Sequence, residues 1–138
     1  MATISVTTFK PIFDNAQIAP RMLSAPVAVD MTAGTPVAYD TTTGKFVKAD
    51  STATDAKVYA GLLTKDTKAG YMGVAFCGLA YLEDLGTLGV GSVLTLSATA
   101  GALDDTQTGK AVARVVPLFK SGGSFEKVLE IFDRPVTV

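Results

Sequence analysis

The chain has 138 residues, of which 48% are apolar, and a sparse, balanced charge that sums to −1. A chain of this length folds as one domain with a real core, and its composition argues against disorder and against nucleic-acid binding, which needs a basic excess. Histidine is absent and Cys77 is the only cysteine, which excludes an internal disulfide, His-ligated metals and Ser-His or Cys-His catalysis.

Residues 1–24 differ in composition from the rest of the chain. They contain Pro11 and Pro20, no glycine and many large apolar side chains, so neither a continuous helix nor a central strand fits them. We predict an extended N-terminal arm over residues 1–24 that lies on another surface, followed by a β-rich domain over residues 25–138. The alternative is an edge strand folded back on its own domain.

Short strand patterns begin after the arm. Read as strands, "TPVAYD" (35–40) places Val37 and Tyr39 on one side and "KFVKAD" (45–50) places Phe46 and Lys48 on one face, and the turn "DTTTG" (40–44) joins them. "KVYAGLLT" (57–64) follows as a third strand. These segments predict a β-hairpin followed by one further strand.

The centre of the chain is "YMGVAFCGLAYL" (71–82), which is apolar on both faces when it is read as a strand. Its interior glycines would cost about 1 kcal/mol each in a helix. A strand of this kind is either internal to a packed structure or covers a subunit contact. We predict that Phe76, Leu79 and Tyr81 contribute to self-association.

The first hairpin has a fainter copy later in the chain. Gly91 and Gly101 repeat Gly34 and Gly44 at the same offset of 57 residues (91 − 34 and 101 − 44). A repeat this short can also arise by chance in a sequence rich in Thr, Ala and Gly.

The strand that follows each hairpin extends the repeat, because "KVYAGLL" (57–63) aligns with "KAVARVV" (110–116). We therefore predict a mostly β fold. It is a small β-barrel or sandwich built of two similar hairpin-plus-strand units, with the extended N-terminal arm attached.

The segment "FEKVLEIFD" (125–133) is ambiguous. Its apolar residues have helical spacing, but it also suits the return strand of a Gly-Gly hairpin opposite "AVARVVPLF" (111–119). We favour the strand, because the preceding segments are β and Pro135 suits an edge.

No group of residues in the sequence indicates chemistry. The acidic residues that stand close together are best explained as solvated turn and edge residues: Glu83, Asp84, Asp104, Asp105, Glu126 and Glu130. Cys77 lies among apolar neighbours, as a small core residue does. We predict no catalytic residue, no metal site and no cofactor, and we expect that the protein is not an enzyme.

The sequence resembles a family of phage proteins. "TPVAYDTTTGKFVKAD…YAGLLTKD…AGYMGVAFCGLAYLEDL" is similar to the body of the lambda-like head decoration proteins of tailed phages. "VGSVLTLSATAGALDD…GKAVARVV" resembles the Gly-rich second half of a related group of capsid cement proteins. The resemblance covers residues 25–118.

The resemblance implies a small β-rich body, often a homotrimer, that binds the major capsid protein on the outer surface of the assembled shell. The chain would then be a structural protein of the virion, made in the host cytoplasm, without nucleic-acid or membrane partners. An N-terminal arm typically reaches onto the lattice in this family, which assigns capsid binding to Ile4, Val6, Phe9, Pro11, Ile12 and Phe13. The alternative is another virion component, such as a tail-tube or fibre-base module.

Overall fold

The computed structural model describes residues 3–4, 9–12, 20–52, 57–82, 85, 88–119 and 121–138. These residues form eleven β-strands and a 3-10 turn at Ser121–Gly123, with no α-helix among them. The strands are β1 (Thr3–Ile4), β2 (Phe9–Pro11), β3 (Arg21–Pro26), β4 (Pro36–Asp40), β5 (Lys45–Lys48), β6 (Lys57–Leu63), β7 (Met72–Leu82), β8 (Val93–Leu96), β9 (Leu103–Asp104), β10 (Lys110–Phe119) and β11 (Phe125–Thr137). The predicted mostly β fold is confirmed.

The strands form one antiparallel sheet that curls into a half-barrel. Its order is β1-β9-β8-β10-β11-β7-β6-β4-β5, and β2 and β3 also pair with β7. The ambiguous segment 125–133 lies in β11, paired with β10, so the strand interpretation is confirmed.

The sheet contains two four-stranded units with the same strand order. The first reads β5-β4-β6-β7 and the second reads β9-β8-β10-β11. The units meet where β7 and β11 pair antiparallel, with Gly78 opposite Ile131. A local twofold rotation at this seam therefore relates one unit to the other.

The turn that leads into each unit uses the same backbone contact. The N–H of Gly34 donates to the Leu63 carbonyl at 2.7 Å, and the N–H of Gly91 donates to the Val115 carbonyl at 2.8 Å. Both glycines have left-handed backbones, with φ of 82° and 95°, which side-chain-bearing residues rarely adopt. The predicted repeat of the first hairpin is thus present in the backbone.

The third strand of each unit carries one β-bulge. In β6 the unpaired residue is Ala60, and in β10 it is Val112, which is an offset of 52 (112 − 60). The sequence alignment of residues 57–63 with 110–116 used an offset of 53 and was wrong by one residue. It matched Lys57 to Lys110 by residue type, whereas the bulges fix the register.

In the first unit, a small apolar cluster lies between the sheet and segment 25–31. Segment 25–31 crosses this unit and buries Phe46 and Leu63 beneath Val27 and Met31. The corresponding positions in the second unit instead join the main core, and they are Leu94, Leu103, Val112, Val115 and Leu129.

The described parts of residues 1–24 are strands of the domain. β2 pairs with Ala80–Leu82, and β3 pairs with the first half of β7. The predicted boundary after residue 24 falls inside β3, so residues 20–24 belong to the domain rather than to a separate arm. The prolines allow this because no other described strand pairs with the outer edge of β2 or β3.

Candidate functional site

Arg21 in β3 joins three strands near the seam between the units. Its Nη2 donates to the Ala60 carbonyl at 3.4 Å, to Cys77 Sγ at 3.3 Å and to the Asp133 carbonyl at 3.3 Å. One side chain from the N-terminal segment therefore links β6 and β7 of the first unit to β11 of the second.

Cys77 is buried beside this guanidinium. Burial raises the pKa of the Cys77 thiol, while the nearby charge of Arg21 lowers it by less. The thiol also donates to the Ala60 carbonyl at 3.3 Å. A buried thiol that stays protonated at neutral pH is a packing group and a poor nucleophile.

The acidic residues do not gather into a site within the described parts of the chain. Asp104 is buried in β9, Glu130 pairs with Arg114 at 3.0 Å, and Glu83 and Asp84 lie outside the described residues. Among the described residues, no three His, Cys, Asp or Glu side chains are placed to share a metal ion. None of the described segments is a helix with the length and hydropathy needed to cross a membrane.

Two of the three predicted self-association residues are interior. Phe76 is 0% exposed and Leu79 is 1% exposed within a single chain, and Tyr81 is half-buried. The assignment of Phe76 and Leu79 to a subunit surface is therefore wrong. The strand is apolar on both faces because β7 packs against its own chain on both.

The predicted capsid-binding residues lie along the domain where they are described. Thr3–Ile4 pairs with β9, and the β2 strand Phe9–Pro11 pairs with β7. Pro11 and Ile12 are half-buried, and the N–H of Ile12 donates to the Leu79 carbonyl at 2.8 Å. Val6 and Phe13 lie outside the described residues.

Among the residues whose exposure the structure describes, the most exposed aromatic side chains lie at hairpin tips. We call the β6–β7 end, with Tyr71 and Met72, tip one, and the β10–β11 end, with Phe119 and Phe125, tip two. Tyr71 is 71% exposed, and Phe119 and Phe125 are 65% and 53% exposed. The two phenylalanine rings meet edge to face with centroids 6.2 Å apart.

The twofold relation places the two tips at opposite ends of the molecule. Ala75 pairs with Leu63 of β6, and Leu129 pairs with Val115 of β10. Leu63 and Val115 are equivalent at the bulge offset of 52, so Ala75 and Leu129 are equivalent as well. Their offset of 54 (129 − 75) makes Tyr71 the equivalent of Phe125. At about 3.3 Å per residue, the two tips lie roughly 40 Å apart along the paired β7 and β11.

Tip two was not among the predicted surfaces. The Gly-Gly turn at residues 120–124 is evident in the sequence, but Phe119 and Phe125 beside it also fit the apolar runs of the two predicted strands. Their positions directly beside the turn are a usable signal, because residues at a hairpin end have few neighbours to cover them.

Comparisons of the chain with protein-family models, curated proteins and solved structures each return no significant match.

Proposed function

We propose that this chain is a structural protein of a tailed-phage virion that binds the outer surface of the assembled capsid and stabilises the shell. The observation that carries the proposal is the resemblance of residues 25–118 to head decoration and capsid cement proteins. The proposed partner is the major capsid protein.

The exposed apolar tips support a role in joining surfaces. A phenylalanine offers about 150–250 Å² of surface, so the exposed parts of Phe119 and Phe125 together present on the order of 200 Å². Stable protein interfaces bury about 800 Å² on each partner. A tip contact is therefore weak alone, and it suits a protein that acts through many copies on one lattice.

The open edge of the N-terminal segment offers a second contact. Among the described strands only β7 pairs with β2 or β3, which leaves the second edge of each open, and Met22 and Leu23 on β3 are 52% and 42% exposed. An extended segment of the shell can add to such an edge through main-chain hydrogen bonds. The N-terminal segment keeps its proposed role in capsid binding, but as a strand that belongs to the domain.

A homotrimer is proposed as the assembled form, with contacts at the tips. Two different apolar patches at opposite ends of one chain favour head-to-tail contacts, which close into rings or extend as filaments. Because each contact is small, we expect weak association in solution and stable rings on the shell.

The direct test is cosedimentation with expanded, undecorated capsids of the phage that encodes the chain, followed by negative-stain imaging. We expect saturable binding to the shell surface. The double variant Phe119→Ser/Phe125→Ser should bind more weakly, whereas Val29→Ser, which changes an exposed loop valine (48% exposed), should bind like the parent. An absence of binding by the parent, together with tubes formed by the chain alone, would favour a tail-tube component instead.

A further inference from the structure

A small pocket lies where the two units touch. It has a volume of about 280 Å³ and is open to solvent. Strands of both units line it, including Pro135 near the C-terminal end of β11. The lining residues that matter are Lys48, Lys57, Lys110, Tyr59, Leu96 and Pro135.

The rim of the pocket is positively charged. Lys48, Lys57 and Lys110 reach it from three strands, and none of them forms an ion pair with another described residue. Asp50 is the single carboxylate among the described lining residues, and its Oδ1 accepts the N–H of Thr52 at 2.9 Å. The described rim therefore carries a net charge of +2 (3 − 1) in a protein whose net charge is −1.

The floor of the pocket is apolar. Tyr59 and Leu96 belong to the main core and are 8% and 7% exposed. Pockets that take drug-sized ligands measure roughly 300–1,000 Å³, so this pocket suits a single side chain or a fragment of similar size. A group that fits both parts has a short apolar stem and a negative end.

The geometry of the rim is fixed by backbone contacts between the units. The N–H of Gly101 donates to the Ala49 carbonyl at 2.9 Å, and the N–H of Ser51 donates to the Ser97 carbonyl at 2.9 Å. The Lys48 stem lies against Gly101, where an added Cβ would stand 2.9 Å from Lys48 Cδ. This packing places the stem of Lys48 beside the rim.

We infer that this junction pocket binds the carboxylate side chain of a glutamate or aspartate, beside an apolar residue, presented by the protein on which the chain docks. The identity of that docking partner as a capsid protein rests on the proposed function. The three lysines surround the carboxylate, and the floor takes the stem and the neighbouring apolar group. Exposed charges are screened by salt, so the interaction weakens as ionic strength rises.

The test is a titration of the full chain with the blocked peptide acetyl-Leu-Glu-Glu-Leu-amide, in which binding is measured by amide chemical shifts. It is done in 20 mM and in 300 mM salt, where the Debye length is about 20 Å and about 6 Å. We expect shifts centred on Ala49 and Leu96, and at least several-fold weaker binding at the higher salt. The matched peptide with Gln in place of Glu should bind at least about tenfold more weakly.

Two variants locate the site. Lys57→Gln/Lys110→Gln should weaken binding of the Glu peptide at least fivefold, and Lys65→Gln, which removes a lysine that does not line this pocket, should leave it unchanged. Equal binding of the Glu and Gln peptides, or unchanged binding by the double variant, would overturn the inference. Hexanoate binding as tightly as the peptide would also overturn it, because the site would then take free organic acids.

Cosedimentation with capsids separates this inference from the proposed function. If the parent binds the shell and Lys57→Gln/Lys110→Gln binds it equally well, the pocket is not the contact while the function stands. If the parent fails to bind the shell but binds the Glu peptide, the pocket stands and the partner is another protein.

Discussion

The two units share a backbone but not a pattern of burial. At one pair of equivalent positions the first unit has Leu62 opposite Phe76, and both are 0% exposed. The second unit has Arg114 opposite Glu130, an ion pair of 3.0 Å that remains partly exposed. The β-ladder accepts either pair because its hydrogen bonds come from the main chain.

This difference has a structural cause. The first unit places this pair toward the main core, which includes Leu62 and Phe76, whereas Arg114 in the second unit is exposed. The first unit also has the added cluster under segment 25–31 and the N-terminal strand β3 along β7. The strand register is thus the same in the two units. The burial of equivalent side chains differs, because different segments cover the two units.

Removal of residues 1–22 should have the largest effect on both units. It deletes β1, β2 and Arg21, and therefore the main-chain pairing along much of β7. At about 1 kcal/mol for each hydrogen bond, the loss amounts to several kcal/mol, and we expect a protein that is unfolded or melts far below the full chain. Thermal melting followed by circular dichroism measures this.

Deletion of residues 1–8 is the matched control. It removes only the short β1 pairing with β9 among the described contacts and should cost much less. If the protein without residues 1–22 melts within a few degrees of the full chain, the N-terminal segment is an arm that does not contribute to the fold, as the composition of residues 1–24 first indicated.

The sequence contains enough information for the hairpins but not for what covers them. The turn glycines Gly44 and Gly101 and the period-2 strand patterns predict each hairpin, because these signals are local. The alignment of residues 57–63 with 110–116 was wrong by one residue, since the bulges at Ala60 and Val112 have no distinctive residue type. Whether Phe76 faces a partner or its own core depends on distant strands, which one segment does not encode.

The same limit applies to the candidate surfaces. Segment 1–24 was predicted to lie on another surface, whereas its strands β2 and β3 pair with β7 of the same chain. The junction pocket was not predicted, because Lys48, Lys57 and Lys110 are separated in sequence and converge only through the packing of the two units.

Substitutions at the equivalent positions Phe76 and Glu130 should show the difference in burial between the two units directly. Phe76→Ala removes a fully buried aromatic side chain and should lower the free energy of unfolding by about 3–5 kcal/mol. The equivalent Glu130→Ala removes one partner of a partly exposed ion pair and should cost about 1 kcal/mol or less. Urea denaturation measures both, and similar losses at the two positions would contradict the difference in burial.

The glycines that lead into the two units should show the symmetry of the backbone. Gly34→Ala and Gly91→Ala each force a side chain into a left-handed conformation, which costs roughly 1–2 kcal/mol. We expect similar losses in urea denaturation because the two residues make the same hydrogen bond. Gly89→Ala, which has no positive φ and nothing within 4 Å of an added Cβ, is the control and should be close to neutral. Losses that differ by more than about 1 kcal/mol would mean that the two glycine turns are not equivalent.

The smallest expected effect concerns a phenol that only the first unit carries. Tyr59 pairs with Ala38, and the equivalent pair in the second unit is Ala111 with Thr95. Tyr59 is 8% exposed, and its hydroxyl has no hydrogen-bond partner among the described residues. A buried hydroxyl without a partner costs about 1–3 kcal/mol. Tyr59→Phe should therefore stabilise the protein by about 1 kcal/mol at neutral pH.

The pH dependence of this variant tests the same environment. Burial raises the pKa of Tyr59 well above its usual value of 10.0, so above that pH the unfolded state loses a proton that the folded state keeps. The free energy of unfolding then falls as pH rises from 10 toward the folded pKa, while below pH 10 this contribution is fully present. Phenylalanine has no proton to lose, so the advantage of Tyr59→Phe should grow between pH 7 and about pH 10.5 in urea denaturation. A Tyr59→Phe protein less stable than the parent at pH 7 would mean that the hydroxyl has a partner after all.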